Sequence, residues 1–364
     1  MTRKAKSCLG TAVLVLLVVL GATAFTGYRE WRSRQPFVLE DEDSTFMPGT
    51  LRVGGGGMLA ALERDASSET GGPPSSKSTL VRLYSIDAGR AQRTLRDPEE
   101  LPIVALAISP SGEFVGTVVG NDVTQRTTLR FWRVATGDLI WSLELGSLNS
   151  DWPWDGGGLL DFAPEGDRLA ARNGREVQIL DVPTGRVLRK VRFFGDTPSR
   201  GLVTFLRRGL LAYRDRKRRG DPEHETLEIY SEEGMKRVLA LPIAVNGWGH
   251  FSGRRSHFAQ LDRGFHVWTL PAGSETAVLK LGDGRIRDFD FSRDDGLFAA
   301  AIEDGDAEPG SVTTIRCWSV PDGLEVPVVP RAPRGVCTGL AFAPDRDLLV
   351  AAYDGKIHVY PFRR

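Results

Sequence analysis

The chain has 364 residues, 41% hydrophobic and 26% charged, a folded globular composition that excludes wholesale disorder. With 41 Gly and 21 Pro it is punctuated too often for long helices and implies many turns. Lys+Arg and Asp+Glu balance at 47 each, so no net field steers the chain toward nucleic acid, and no nucleic-acid partner is expected.

Residues 1–7 form a short basic N-terminus with Arg3, Lys4 and Lys6. Next comes an almost uncharged run over residues 8–27, with an unbroken apolar stretch from Val13 to Leu20 at its centre. Its length is close to the ~20 residues that carry a helix across a bilayer. The same run, with Ala22-Thr23-Ala24 near its end, also suits a cleavable secretory signal. Either device exports the rest of the chain. The expectation is a single-pass membrane protein with its folded part on the extracytoplasmic side. A secreted or periplasmic protein after cleavage is the alternative. Residues 28–35 then serve as a linker, and residues 36–364 are the folded domain.

Beyond the linker one pattern recurs: apolar residues, an aromatic or aliphatic residue, a few turn formers, then Gly. It runs Leu83-Tyr84 to Gly89, Phe131-Trp132 to Gly137, Ile179-Leu180 to Gly185 and Ile229-Tyr230 to Gly234. It continues with Val267-Trp268 to Gly273, Cys317-Trp318 to Gly323, and a last copy at Val359-Tyr360. The six glycines succeed one another at 48, 48, 49, 39 and 50 residues, the signature of a repeat architecture. Upstream of most copies lies an alternating apolar segment broken by a turn, as in Leu106 to Val115, Leu160 to Leu169, Phe289 to Phe298 and Leu340 to Leu349. Alternation, turn, alternation means strand, tight turn, strand. Each unit thus supplies four short strands, a to d. A four-stranded meander cannot bury both faces by itself, so the copies must stack radially. The expected fold is all-β: a seven-bladed β-propeller of four-stranded antiparallel blades, preceded by the N-terminal hydrophobic helix.

These motifs resemble the WD-repeat family, and the resemblance covers nearly everything after residue 36. Trp132, Trp268 and Trp318 occupy the place of the family's Trp-Asp dipeptide, but Arg133, Thr269 and Ser319 come after them; Asp181 has the matching Asp but stands after Leu180. The Gly-His dipeptide of the family is not evident. Thr136-Gly137 and Trp141 also look like the blade motif of quinoprotein-type propellers, although no other copy carries the second Trp. The family resemblance implies a scaffold that binds other proteins.

The last copy ends without a strand d, and the apolar segment from Pro36 to Glu40 can complete that blade from the other end of the chain. In such a meander the a–b and c–d turns share one face of the disc, and the b–c and d–a loops share the other. The long segments 65–79, 121–127, 214–226 and 303–312 fall between b and c, and 145–158 falls between d and a. All are therefore expected on one face, where binding loops on a rigid scaffold reside. Trp152 and Trp154, flanking Pro153, are candidate contact residues there. So are Arg216, Arg218 and Arg219 in the densest basic run, although Asp221, Glu223 and Glu225 stand close behind. A solvated loop, and tryptophans folded over the channel, are the plainer readings of these two sites. The eight-residue linker reaches at most roughly 28 Å, so the disc should sit close to the bilayer with the loop-bearing face turned away.

No catalytic, cofactor or metal site is expected. The sequence contains no Gly-x-Ser-x-Gly elbow, phosphate loop or paired-Cys zinc pattern. Cys317 and Cys337 stand far apart in the repeat register, so two buried thiols are expected rather than a bridge. Of the five histidines, His257 and His266 could share one face of a hairpin. Gly54 to Gly57 reads as a turn or an irregular inner strand. The reading is a non-enzymatic scaffold presenting a loop-rich face to other proteins. A ligand-binding or enzymatic propeller with a site at the channel mouth is its rival, and convergent acidic, His or Arg side chains there would favour it.

Overall fold

The computed structural model describes residues 36–39, 50–63, 78–121, 126–147, 159–173, 176–192, 203–206, 209–215, 225–231, 233, 236–243, 249–252, 254–261, 264–280, 284–303, 312–327, 333–353 and 356–362. They form seven four-stranded antiparallel sheets arranged as a seven-bladed β-propeller. The apolar run 8–27 lies outside the described residues, and no helix among the described residues is long and apolar enough to cross a membrane.

After β1 (Phe37–Leu39), blade 1 comprises β2 (Arg52–Val53), β3 (Met58–Glu63), β4 (Leu80–Ser85) and β5 (Arg90–Arg96). Blade 2 comprises β6 (Ile103–Ile108), β7 (Phe114–Asn121), β8 (Arg126–Arg133) and β9 (Leu139–Ser147). Blade 3 holds β10 (Leu160–Phe162), β11 (Arg168–Asn173), β12 (Glu176–Asp181) and β13 (Val187–Arg192). Blade 4 holds β14 (Val203–Leu206), β15 (Leu210–Asp215), β16 (Glu225–Ser231) and β17 (Arg237–Ile243). Blade 5 is β18 (Gly249–Phe251), β19 (His257–Leu261), β20 (Phe265–Thr269) and β21 (Ser274–Leu279). Blade 6 is β22 (Arg285–Phe291), β23 (Leu297–Glu303), β24 (Thr313–Ser319) and β25 (Glu325–Val326). Blade 7 takes β26 (Cys337–Phe342), β27 (Leu348–Tyr353) and β28 (Lys356–Pro361) from the C-terminal end, and its outer strand is β1. Phe37 pairs Val359 and Leu39 pairs Ile357, so the segment expected to close the ring does so.

The burial pattern explains the composition of each strand. Inner and middle strands lie between two neighbouring blades, so both their faces are apolar; Ile103 to Ala107 on β6 and Phe298 to Glu303 on β23 are buried without a break. Outer strands alternate, as in β13, where half-buried Val187, Arg189 and Val191 interleave with exposed Leu188, Lys190 and Arg192. The buried apolar residues fall into seven clusters, and each cluster joins two adjacent blades. Among the described residues the blade 2–3 cluster has 14 buried members and the blade 3–4 cluster only 7. Cys317 and Cys337 share the blade 6–7 cluster as free, buried thiols. Sequence register had separated them; ring packing brings the middle of one blade against the inner strand of the next.

The recurring glycine has a two-part cause. Gly89, Gly137, Gly185, Gly273 and Gly323 all have positive φ, between 64° and 78°, in the turn between the third and fourth strands. The second cause comes from the preceding blade. A Cβ built on Gly185 would sit 2.7 Å from the Trp141 ring, and one on Gly137 would sit 2.6 Å from Arg93 Cδ. One on Gly273 would sit 2.8 Å from Leu241. The outer strand of one blade therefore seats a side chain on the glycine turn of the next. In blades 1 to 5 the ladder slips by one residue just before this seat, between Leu83 and Tyr84 or between Phe131 and Trp132, for example. Such a bulge re-aims the next side chain.

Gly185→Ala should therefore cost about 2–5 kcal/mol, from left-handed strain plus overpacking against Trp141. Gly89→Ala, at nearly the same φ but with nothing within 4 Å, should cost only about 1–2 kcal/mol. Urea-denaturation midpoints test the difference, and equal losses would refute the seat.

Candidate functional site

The strand boundaries sort the connections by face. The turns after β2, β6, β10, β14, β18, β22 and β26 are short, and so are those after β4, β8, β12, β16, β20 and β24. The wide intervals are 64–79, 216–224 and 304–312 between second and third strands, and 40–51, 148–159, 193–202 and 327–336 between blades; the segment 121–127, expected to be long, is only the four-residue interval 122–125. In an antiparallel meander these all leave from the face opposite the tight turns. Trp152 and Trp154 fall in the 148–159 interval, and Arg216, Arg218 and Arg219 in 216–224. All five lie outside the described residues.

The inner strands carry a polar belt that sequence reasoning missed. Its register comes from the bond closing each inner hairpin: Gly54 N–H to Met58 O, Ser109 to Phe114, Ala163 to Arg168, Ser252 to His257, Ser292 to Leu297 and Ala343 to Leu348. Two residues before each donor stand Arg52, Ala107, Asp161, His250, Asp290 and Ala341. Thr204 takes that place in blade 4, where Phe205 pairs Leu211 as Phe162 pairs Leu169 in blade 3. The position is polar in five blades, with Ala107 and Ala341 the exceptions, and its flanks are mostly apolar, a period-2 signal readable as Leu160-Asp161-Phe162 and Phe289-Asp290-Phe291.

Each belt carboxylate grips the next blade. Asp161 accepts the Phe205 N–H at 2.9 Å and the Thr204 hydroxyl, and it pairs with Arg255 of blade 5. Asp290 accepts the Phe342 N–H at 2.7 Å and pairs with His250 Nε2 at 2.9 Å. Asp288, one step deeper, accepts the Leu340 N–H at 2.8 Å and its neighbour Phe289 N–H at 2.9 Å. Asp288 keeps some accessible surface but is surrounded by protein, and desolvation raises its pKa to about 6. The Leu340 N–H, Arg52, His250 and the Phe289 N–H oppose that rise only in part.

A second constellation, on the tight-turn face, brings Ser, His and Asp together. Ser252 donates to Asp295 Oδ2 at 2.8 Å, Ser256 donates to the same oxygen, and Arg254 N–H reaches Oδ1 at 3.2 Å. The Ser256 hydroxyl is 3.0 Å from His257 Nδ1, and that same nitrogen is 3.6 Å from Asp295. A nucleophilic triad needs Ser and Asp on opposite nitrogens of the imidazole. Here both meet Nδ1, and the serine proton points to the carboxylate. Burial raises the Asp295 pKa, but the bonds from His257, Ser256, Ser252 and Arg254 N–H outweigh it and hold the group below the usual carboxylate range. The cluster locks blade 6 to blade 5.

The residues that make these ties stand in a strained place. In the inner hairpin turn Gly112 and Gly166 have φ of 76° and 79°, but the equivalent positions in blades 5 and 6 are Arg255 at 58° and Asp295 at 64°. Left-handed strain there is the cost of reaching another blade. The circuit continues round the tight-turn face. Arg293 donates to Asp345 O at 2.8 Å, Gly56 N–H to Asp345 Oδ2 at 2.8 Å, Arg346 pairs with Asp87 at 2.6 Å, and Gly55 N–H meets Pro110 O at 2.9 Å.

His257 and His266 do not share a face: His257 pairs Thr269 and His266 pairs Gln260, three rungs along, so the pleat points them oppositely. Among the described residues no group of three or more His, Cys, Asp or Glu is arranged to hold a metal ion. The four glycines 54–57 form the hairpin turn of blade 1, with a single 3-10 turn at Gly55–Gly57. The geometry defines a β-propeller with short, cross-tied turns on one face and the wide intervals on the other. Comparison with known protein families and with curated proteins finds no match.

Asp288 binds its proton more tightly folded than unfolded, so its ionisation opposes folding. Its contribution should fall as pH rises from about 4 through about 6. Asp288→Asn should therefore gain stability relative to the parent across that range, by at most about 3 kcal/mol. Denaturation midpoints of both proteins between pH 4 and 8 test this, and a pH-independent difference would refute it.

Proposed function

We propose that the protein is a non-enzymatic scaffold that presents its loop-bearing face to other proteins outside the cytoplasmic membrane, with residues 8–27 as its anchor or export signal. The observation that carries this reading is the sorting of connections. One face is cross-tied from blade to blade by short turns, while every wide interval leaves from the other. A scaffold with its long connections gathered on one side suits protein recognition. The repeat organisation is similar to that of WD-repeat scaffolds, which supports the same class by analogy of fold. In this reading Trp152 and Trp154 supply contact area, and Arg216, Arg218 and Arg219 supply charge. Because β1 begins at the tight-turn face, a tether through residues 28–35 would turn the loops away from the bilayer.

A second reading, a ligand site in the channel, draws on the His250–Asp290 pair and the raised pKa of Asp288. It is the weaker one, because each belt carboxylate already serves a backbone N–H of a neighbouring blade.

Photo-crosslinkers placed at residues 152 and 218 of the full chain should yield protein adducts in cells; those at Glu113 and Asp322, on the tight-turn face, should not. Trp152→Ala with Trp154→Ala should weaken the captured partner by about 30-fold or more, the scale of a hot-spot loss. Adducts confined to the tight-turn positions would sink the proposal.

A further inference from the structure

The blade 3–4 junction differs from its neighbours in the seat. At the 2–3 junction the seat residue is Trp141, whose ring stacks on Phe131 with centroids 4.5 Å apart, lies over Gly185 and donates Nε1–H to Val182 O at 3.1 Å. At the 4–5 junction Leu239 and Leu241 cover Gly273. The equivalent residue at the 3–4 junction is Arg189, which pairs Ile179 as Trp141 pairs Phe131. Arg189 extends to the Glu233 carbonyl at 2.8 Å, as Arg93 extends to the Ala135 carbonyl at the 1–2 junction. The inner hairpin of blade 4 is also shorter, with Phe205 opposite Leu211 where blade 3 has Phe162 opposite Leu169. A solvent-open cavity of about 480 Å³ lies at this junction, lined by Arg168, Ile179, Leu188, Arg189, Leu210 and Glu233, among others. That lies within the ~300–1,000 Å³ of ligand sites.

We propose that this notch docks a partner peptide that inserts one large aromatic side chain beside a carboxylate. The fold itself shows what fits: one blade earlier the equivalent space holds an indole. Ile179 and Leu210 supply the apolar wall, and Leu188, 44% exposed, extends it to the rim. Two guanidinium groups, Arg168 and Arg189, line the mouth, and an acidic flank beside the aromatic would meet their donors. Arg168 lies with its guanidinium 5.4 Å from the Phe205 ring. It also meets Asp167 and Glu165 at 3.3 and 3.6 Å, a pairing that an incoming carboxylate would share. Aromatic anchors in such pockets dominate peptide affinity. The notch is at the rim beside the tight turns, separate from the loop-bearing face, so it stands or falls independently of the function proposed above.

The test uses the full chain and a fluorescent acetyl-Asp-Trp-Asp-amide peptide, tracked by anisotropy, with Asp-Ala-Asp and Lys-Trp-Lys peptides as controls. The parent should bind the first peptide at least tenfold more tightly than either control. Arg189→Trp rebuilds the Trp141 arrangement and fills the notch from within, and should abolish binding while raising the denaturation midpoint. Leu188→Asp, an exposed change that leaves the core intact, should weaken the acidic peptide at least tenfold even if Arg189→Trp folds poorly. Arg189→Ala should erase the preference for Asp over Lys flanks yet keep the requirement for Trp. Binding that ignores the Trp, or that survives both Arg189→Trp and Leu188→Asp, would overturn the proposal.

Discussion

Everything in this molecule depends on one constraint: a four-stranded blade has two apolar faces and no layer of its own to cover them. Each face must be buried by another blade, so the core is not a single centre but seven interfaces in a ring. A ring built this way is only as strong as its last junction. The pairing of Phe37–Leu39 with β28 therefore matters beyond its three residues. It gives blade 7 an outer strand and, through Leu39, a buried member of the cluster shared with blade 1.

Two sets of contacts keep the interfaces in register. At the rim, a bulged outer strand lowers a side chain onto the glycine turn of the next blade. Near the axis, Asp161, Asp288 and Asp290 satisfy backbone N–H groups of the next inner strand. Those N–H groups sit on buried residues of edge strands, where an unpaired donor would be costly. The carboxylates solve that problem and create another, because ionised groups among protein atoms resist desolvation. Asp288 shows the tension most plainly. Asp295, equally committed to its neighbours, settles it the other way, with enough donors to favour its charge.

The two faces arise from these ties. Arg255 and Asp295 accept left-handed backbone to reach across blades, and Arg293, Arg346 and Asp345 extend the circuit to blade 1. Such a face tolerates little change of shape. The opposite face carries the wide intervals between strands. That division of labour is why recognition is proposed on the loop side. The notch at blades 3 and 4 lies at the rim beside the tight turns, apart from the loop side.

The sequence by itself determined the number of blades, the strand order within each, the strand that closes the ring and the face from which the long connections leave. These are consequences of local period and turn chemistry, and the glycines at near-regular spacing announced them. What it left undecided was every relation between blades. Cys317 and Cys337 meet in one cluster, His257 and His266 part to opposite faces, and Asp161 finds Arg255 two blades away. The reason is physical: strand pairing is read from nearest neighbours along the chain. Which side chain meets which across a junction depends on a bulge, a shorter hairpin or a left-handed turn, and only the closed ring brings those together.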